Sequence, residues 1–186
     1  MVDYLQACHY PPRGEPLGHT MDIGCGTGVA GIAAAMLDAE SVTFTDTTSA
    51  EALLLANLDM LRSHHVSSPT EFVEFDWVSG DMTEFQQKMD RGGQFWDTLL
   101  LSDVLYEQKS HAALMRLLRG LSFRKAIFAY KRRHDEPEKQ FLLELESWCS
   151  LAMVSSESIS TLVNVTRAQF ASGLYILVAT PNGSTS

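Results

Sequence analysis

The sequence contains little cysteine, with three residues among 186, at Cys8, Cys25 and Cys149. None belongs to a Cys-x-x-Cys pair, whereas disulfide frameworks and zinc sites both need more numerous or closely spaced cysteines. The adjacent His64 and His65 would point in different directions on a helix, and no carboxylate lies at ligand spacing from them. We therefore expect a reducing compartment, no disulfide and no metal site.

Long apolar runs and a leader pattern are also missing. No apolar stretch approaches the roughly 20 residues that a membrane-spanning helix needs. The first residues lack the basic region and the apolar region of a signal peptide. We therefore expect no membrane partner and a cytoplasmic location, with the nucleus as the alternative.

Basic residues are outnumbered, because 14 Lys and Arg stand against 23 Asp and Glu, for a formal net charge of -9. Nucleic-acid binding depends on clustered Lys and Arg. The compact basic run Lys131-Arg-Arg-His134 is typical of a solvated strand end. We therefore expect no nucleic-acid partner, and an acidic surface suits a basic protein substrate. The sequence leaves the oligomeric state open.

Strand-like and helix-like segments alternate along the chain. The segments predicted as strands are 20–24, 41–46, 71–77, 97–102, 124–131, 159–166 and 173–179. Helices are predicted for 28–38, 49–61 and 109–120 and for a segment opening at Pro137. The last two strands, joined through 169–173, look like an antiparallel pair. The pattern predicts one α/β domain over 1–186, with about five helices on both faces of a mostly parallel seven-stranded sheet, a C-terminal antiparallel hairpin and a loose tail at 181–186.

The most informative segment is the glycine-rich run at 21–31, Met-Asp-Ile-Gly-Cys-Gly-Thr-Gly-Val-Ala-Gly, which the strand at 41–46 follows. This order is typical of a Rossmann-like βαβ unit that holds an adenosine-containing cofactor at the carboxyl ends of its strands.

Two interpretations of the glycines compete. Gly26, Gly28 and Gly31 fit the G-x-G-x-x-G pattern of dinucleotide enzymes, with Asp46 placed 20 residues beyond Gly26 as a ribose-binding acid. The alternative pattern, D-x-G-x-G-x-G, is that of S-adenosylmethionine (SAM) methyltransferases, and its members here are Asp22, Gly24, Gly26 and Gly28.

Asp22 favours the second interpretation. A carboxylate at this strand end would repel the anionic pyrophosphate of a dinucleotide, whereas it would attract the sulfonium and ammonium groups of SAM. The glycines would let the backbone approach the ligand, and the helix N-terminus would face the ligand carboxylate. Asp46 would accept hydrogen bonds from the ribose hydroxyls. The alternative is that Asp22 merely caps the turn.

Asp76 and Trp77 close the third predicted strand, where the adenine of such a cofactor should lie. Asp76 would accept a hydrogen bond from the adenine amino group, and Trp77 would pack against the ring. The alternative is that Trp77 is a core residue. Cys25 is small enough for the glycine turn, and nothing marks it as a nucleophile.

A second motif, Ser102-Asp103-Val-Leu-Tyr106, follows the apolar strand Asp-Thr-Leu-Leu-Leu-Ser. Together with the glycine motif, the strand-end acids and Tyr130-Lys-Arg-Arg133, it resembles the seven-β-strand protein-lysine methyltransferases, called methyltransferase family 16. The resemblance implies methyl transfer from SAM to a lysine amine in a protein. It also implies that Asp103 and Tyr106 are catalytic residues that orient this amine, and that Ser102 lies at the cofactor.

The chain departs from the family pattern before its first strand. Family members usually carry a longer N-terminal region, with a tryptophan-containing helix that covers the cofactor. Here only Asp3-Tyr-Leu-Gln6, within a remnant at 1–19, resembles it. The comparison predicts a chain that lacks this N-terminal segment.

Other functions stay open at this point. Histidine, arginine and small-molecule acceptors are compatible with the same cofactor motif. Adenine, cytosine or glutamine acceptors are disfavoured, because the N/D-P-P-Y/F motif is absent after the fourth strand. The alternatives to a methyltransferase are an NAD-dependent oxidoreductase on the G-x-G-x-x-G register and a non-catalytic scaffold.

Overall fold

The computed structural model describes residues 1–9, 14–62, 66–89, 95–154 and 174–183. Within these residues seven strands form one sheet, in the order β3-β2-β1-β4-β5-β7-β6. The strands are β1 His19–Ile23, β2 Ser41–Asp46, β3 Thr70–Glu74, β4 Trp96–Ser102, β5 Phe123–Lys131, β6 Cys149–Val154 and β7 Leu174–Pro181. The helices are α1 Val2–His9, α2 Val29–Met36, α3 Thr48–Arg62, α4 Met82–Met89, α5 His111–Gly120 and α6 Asp135–Glu146.

The central strand β4 shows why the sheet is covered on both faces. Its Leu99, Leu100 and Leu101 are all fully buried. Because side chains alternate along a strand, Leu99 and Leu101 join the apolar cluster beneath α4, α5 and α6, whereas Leu100 joins the cluster beneath α1, α2 and α3. The predicted α/β sandwich with helices on both faces is confirmed.

Strands β1 to β5 pair in parallel, and β7 pairs antiparallel with both β5 and β6. The mostly parallel sheet with a C-terminal antiparallel pair is therefore confirmed. The partner of β7 in this pair is Cys149–Val154, however, which was not predicted as a strand. The predicted strand 159–166 and the connection 169–173 lie outside the described residues.

Strand β3 ends at Glu74 rather than at Trp77, because Asp76 accepts hydrogen bonds from Val78 and Ser79 and so forms a turn.

Three further elements differ from the prediction. Helix α4 was not predicted, and α1 extends beyond the Asp3–Gln6 remnant. Helix α6 begins at Asp135 rather than Pro137, because Glu138 accepts hydrogen bonds from the backbone N–H groups of Arg133 and His134 at the helix start. No helix among the described residues is long and apolar enough to span a membrane.

The sheet topology places the turns that follow the parallel strands together, at the carboxyl ends of those strands. Strand β1 lies between β2 and β4, so the chain order reverses beside it. In open α/β sheets, ligands bind outside the carboxyl ends of the strands at such a switch point. The glycine turn after β1 therefore faces the segments that follow β2, β3 and β4.

Candidate active site

The glycine turn after β1 depends on backbone conformations that glycine adopts freely. Gly24, Gly26 and Gly28 have φ angles of +64°, +53° and +79°. The backbone N–H groups of Gly24 and Cys25 both donate to the carbonyl oxygen of Thr45 in β2, at 2.8 and 3.1 Å. The turn is thus fastened to the neighbouring strand.

The three glycines have different surroundings. A Cβ atom on Gly24 would lie 2.6 Å from Cη2 of Trp77, and one on Gly28 would collide with Cδ1 of Leu54. A Cβ atom on Gly26 would meet nothing within 4 Å. Packing inside the protein therefore requires Gly24 and Gly28, whereas Gly26 presents bare backbone to open space.

Asp22 lies beneath this turn rather than at its open side. Its side chain is buried, and its Oδ2 accepts a hydrogen bond of 2.8 Å from the backbone N–H of Gly31, while Oδ1 has no partner among the described residues. Burial, with a smaller contribution from the negative charge of Asp46, raises the pKa of Asp22 to about 7. Asp22 holds the turn against α2, as in the capping alternative, and direct contact with a cofactor stays a prediction.

Asp46, at the end of β2, lies beside the open part of the turn. Its Oδ2 accepts a hydrogen bond of 2.8 Å from the backbone N–H of Gly26, and its Oδ1 accepts one of 2.7 Å from that of Thr47. Oδ1 also accepts a hydrogen bond of 3.3 Å from Thr47 Oγ1, whereas Oδ2 keeps a second lone pair for a ligand. Asp46 can therefore fix the turn and still accept hydrogen bonds from a ligand.

Asp76 and Trp77 lie in the turn after β3. Asp76 accepts hydrogen bonds from Ser79 Oγ at 2.6 Å and from the backbone N–H of Val78 at 2.9 Å, and these bonds lower its pKa. Trp77 packs against Gly24, and its indole Nε1 is buried without a partner among the described residues. Trp77 also packs against the apolar cluster beneath α4, α5 and α6, as in the core alternative, and is partly buried. This turn thus places an aromatic side chain next to the glycines.

Asp103 follows β4 and has a φ angle of +57°, which is uncommon outside glycine. Its backbone N–H donates to the carbonyl oxygen of Ala129 in β5 at 2.6 Å. Arg133, just beyond β5, donates to both carboxylate oxygens of Asp103, from Nη1 at 2.6 Å and from Nη2 at 2.9 Å. Arg133 was expected at a solvated strand end, and its contact with Asp103 was not predicted, because it depends on β4 and β5 lying side by side.

A cavity of about 410 Å³ brings most of the predicted residues together, within the size range of small-molecule sites. The predicted residues that line it are Gly24, Gly26, Asp46, Asp76, Trp77, Asp103 and Tyr106. We call it the glycine cavity.

Three predicted residues do not line the glycine cavity. Asp22 and Gly28 lie behind the turn, packed against α2 and α3. Ser102 lines a neighbouring cavity of about 530 Å³, together with Tyr130, Arg133 and Tyr175. We call this the second cavity. Asp103 lines both cavities.

Cys25 is not activated as a nucleophile. Burial raises the pKa of its thiol, and the negative charges of Asp22 and Asp46 raise it further. The sequence-based interpretation of Cys25 as a small turn residue agrees with this environment.

A sequence profile described as lysine methyltransferase matches residues 6–148, which is most of the chain. The chain belongs to the lysine methyltransferase family. The resemblance inferred from the glycine and D-x-x-Y motifs is therefore confirmed.

Two similar proteins are matched over part of their length. The protein N-lysine methyltransferase METTL21A of Danio rerio is 30% identical over 139 residues, which cover 74% of this chain and 60% of that protein. A UPF0665 family protein of Schizosaccharomyces pombe is 28% identical over 146 residues, which cover 77% of this chain and 42% of that protein. The chain thus spans about half the length of these relatives.

Solved structures support the fold. Magnesium protoporphyrin IX methyltransferase from Synechocystis PCC 6803, determined with bound SAM, superimposes with a TM-score of 0.58 at 22% sequence identity. The match covers 90% of this chain and 71% of that one. At this identity the likeness establishes the Rossmann-like methyltransferase fold and nothing finer.

Proposed function

We propose that this protein is a SAM-dependent methyltransferase that methylates a protein side chain, with lysine as the acceptor. The observation that carries the proposal is the glycine cavity. It unites Gly26 of the cofactor motif and Asp46, the acid at the end of β2, with Asp103 and Tyr106 of the D-x-x-Y motif. Membership of the lysine methyltransferase family and the activity named for the Danio rerio relative support the same reaction.

The residues around the glycine cavity fit SAM. Gly26 offers backbone without a side chain, as close approach of a ligand requires. Asp46 offers carboxylate oxygens to ribose hydroxyls, and Trp77 offers an aromatic wall for the adenine. Asp76 accepts one hydrogen bond on each carboxylate oxygen within its own turn and keeps lone pairs, so it would hold Trp77 in place and accept a hydrogen bond from the adenine amino group.

When bound, SAM supplies a methyl group on a positively charged sulfur. The sulfur is the leaving group and becomes a neutral thioether when an amine nitrogen takes the methyl group. The chain must therefore align the amine and exclude water. A free lysine has a pKa of about 10.4, so its amine must lose a proton before it reacts. Asp103 and Tyr106 would orient this amine at the mouth of the glycine cavity.

The partner that we propose is a protein with a basic surface around the target lysine. The formal net charge of -9 favours such a partner and disfavours a nucleic acid. We propose that the methyltransferase itself acts in the cytoplasm and that residues 1–186 form one methyltransferase domain.

Incubation of the protein with radiolabelled SAM and a cell lysate tests the acceptor class. We expect the label in material that a protease destroys and a nuclease spares, and we expect methyl-lysine after acid hydrolysis. Tyr106→Phe should reduce labelling, whereas Tyr4→Phe, which changes a tyrosine of α1 that lines neither cavity, serves as the matched control. Label in nucleic acid, or in methylhistidine or methylarginine alone, would refute lysine as the acceptor.

A further inference from the structure

The two cavities meet at one side chain. Asp103 lines both the glycine cavity and the second cavity, and its positive φ angle turns it away from the line of β4. The two cavities therefore adjoin at this carboxylate.

Arg133 holds that carboxylate with a two-pronged ion pair. Its Nη1 and Nη2 each donate to a different oxygen of Asp103, at 2.6 and 2.9 Å, and Nη1 also donates to the carbonyl oxygen of Lys131 at 3.3 Å. Such paired bonds fix the orientation of a carboxylate as well as its charge. The backbone N–H of Arg133 donates a hydrogen bond to Glu138, which fixes the arginine backbone at the start of α6.

The charge of the ion pair matters for the proposed reaction. A lone carboxylate beside the acceptor would stabilise the ammonium form of lysine, which cannot take a methyl group. A guanidinium on the same carboxylate cancels that effect. The other charged groups that line the second cavity are Asp3, Lys131 and the amino group of Met1, whose pKa burial lowers.

We propose that Arg133 is a positioning residue that fixes Asp103 between the two cavities and balances its charge, so that the acceptor lysine enters through the second cavity as an uncharged amine. The inference rests on the proposed function, because it assigns a role in methyl transfer. It adds a residue and an entry route to the glycine cavity.

Two ligands test the charge balance without any protein substrate. S-adenosylhomocysteine has a neutral sulfur, whereas the SAM analogue sinefungin carries an ammonium group close to the position of the transferred methyl. In Arg133→Gln the carboxylate of Asp103 loses its counter-ion. We expect the ratio of the two dissociation constants, measured by calorimetry, to shift about three- to fivefold in favour of sinefungin, the size of an exposed ion-pair interaction.

Matched variants separate this effect from others. Arg132→Gln removes the same charge from the neighbouring arginine, which lies over Tyr175 and pairs with Asp135 rather than Asp103, and it should leave the ratio unchanged. Arg133→Lys keeps the charge and should shift the ratio less than Arg133→Gln. The double variant Arg133→Gln with Asp103→Asn should restore the wild-type ratio.

The outcomes distinguish the inference from the proposed function. An unchanged ratio in Arg133→Gln, or an equal shift in Arg132→Gln, would overturn the role of Arg133 while leaving the cofactor assignment intact. Failure of the wild-type protein to bind either ligand would overturn the proposed function, and the inference with it.

Discussion

Gly24 and Gly26 occupy the same turn but should respond differently to alanine. In Gly24→Ala the new Cβ would collide with Trp77, so we expect a loss of roughly 2–4 kcal/mol in the free energy of unfolding from strain and overpacking. In Gly26→Ala the Cβ has space, so we expect a loss of only about 1–2 kcal/mol from the left-handed backbone. Urea denaturation measures both.

The same pair of variants reports on ligand approach. Because Gly26 lines the glycine cavity, its alanine variant should bind S-adenosylhomocysteine at least tenfold more weakly, about 1.4 kcal/mol, although it folds. Wild-type affinity in Gly26→Ala would show that the ligand does not approach this turn.

Asp22 should make the stability of the fold depend on pH. Burial raises its pKa from an ordinary value of 3.8 to about 7 in the folded protein. At a pH between these two pKa values, the folded chain keeps a proton that the unfolded chain releases. The contribution of Asp22 to the free energy of unfolding is therefore fully present below about pH 4 and is lost as the pH rises toward 7. The free energy of unfolding falls by at most about 4 kcal/mol over this range.

Asp22→Asn removes this titration and keeps an acceptor for the Gly31 N–H. We expect the free energy of unfolding of the wild type to fall relative to that of the variant as the pH rises from 4 to 7, in urea titrations at several pH values. Parallel curves over this range would mean that Asp22 ionises normally in the folded protein.

The turn after β3 acts as a unit that holds Trp77 against the glycines. Asp76→Ala removes the hydrogen bonds from Val78 and Ser79, so we expect affinity for S-adenosylhomocysteine to fall about fivefold, the effect of losing one capping interaction. Asp81→Ala is the matched control, because Asp81 caps α4 through Thr83 and Glu84 and does not line the glycine cavity. An equal loss of affinity in both variants would show that the turn after β3 has no specific role in ligand binding.

Elements with strong patterns were predictable from the sequence, and weakly patterned ones were not. The continuous apolar run of β4 predicted a strand, and the structure buries this strand on both faces. Strand β6 buries only Cys149 fully and leaves no clear period in the sequence. Helix α4 was missed for another reason: its apolar residues Met82, Phe85 and Met89 have helical spacing, but the helix is only eight residues long. An edge strand such as β6 has few core contacts to mark it.

Across the whole molecule, the gathering of acids at one edge followed from the sequence, because parallel strands end together. Asp46, Asp76 and Asp103 therefore lie around the glycine cavity as expected, and their roles stay predictions. The burial of Asp22 beneath the turn depends on how α2 packs on the sheet. The pair between Asp103 and Arg133 depends on the side-by-side placement of β4 and β5, which local patterns do not encode.

The most direct test of the central claim is calorimetric titration of the protein with S-adenosylhomocysteine, with NAD as the control ligand. We predict that S-adenosylhomocysteine binds and NAD does not. Asp46→Ala should weaken that binding at least tenfold, because hydrogen bonds to a charged group contribute about 1.5–3 kcal/mol, whereas Asp81→Ala should not. Binding of NAD alone, or an affinity for S-adenosylhomocysteine that Asp46→Ala leaves unchanged, would contradict the account.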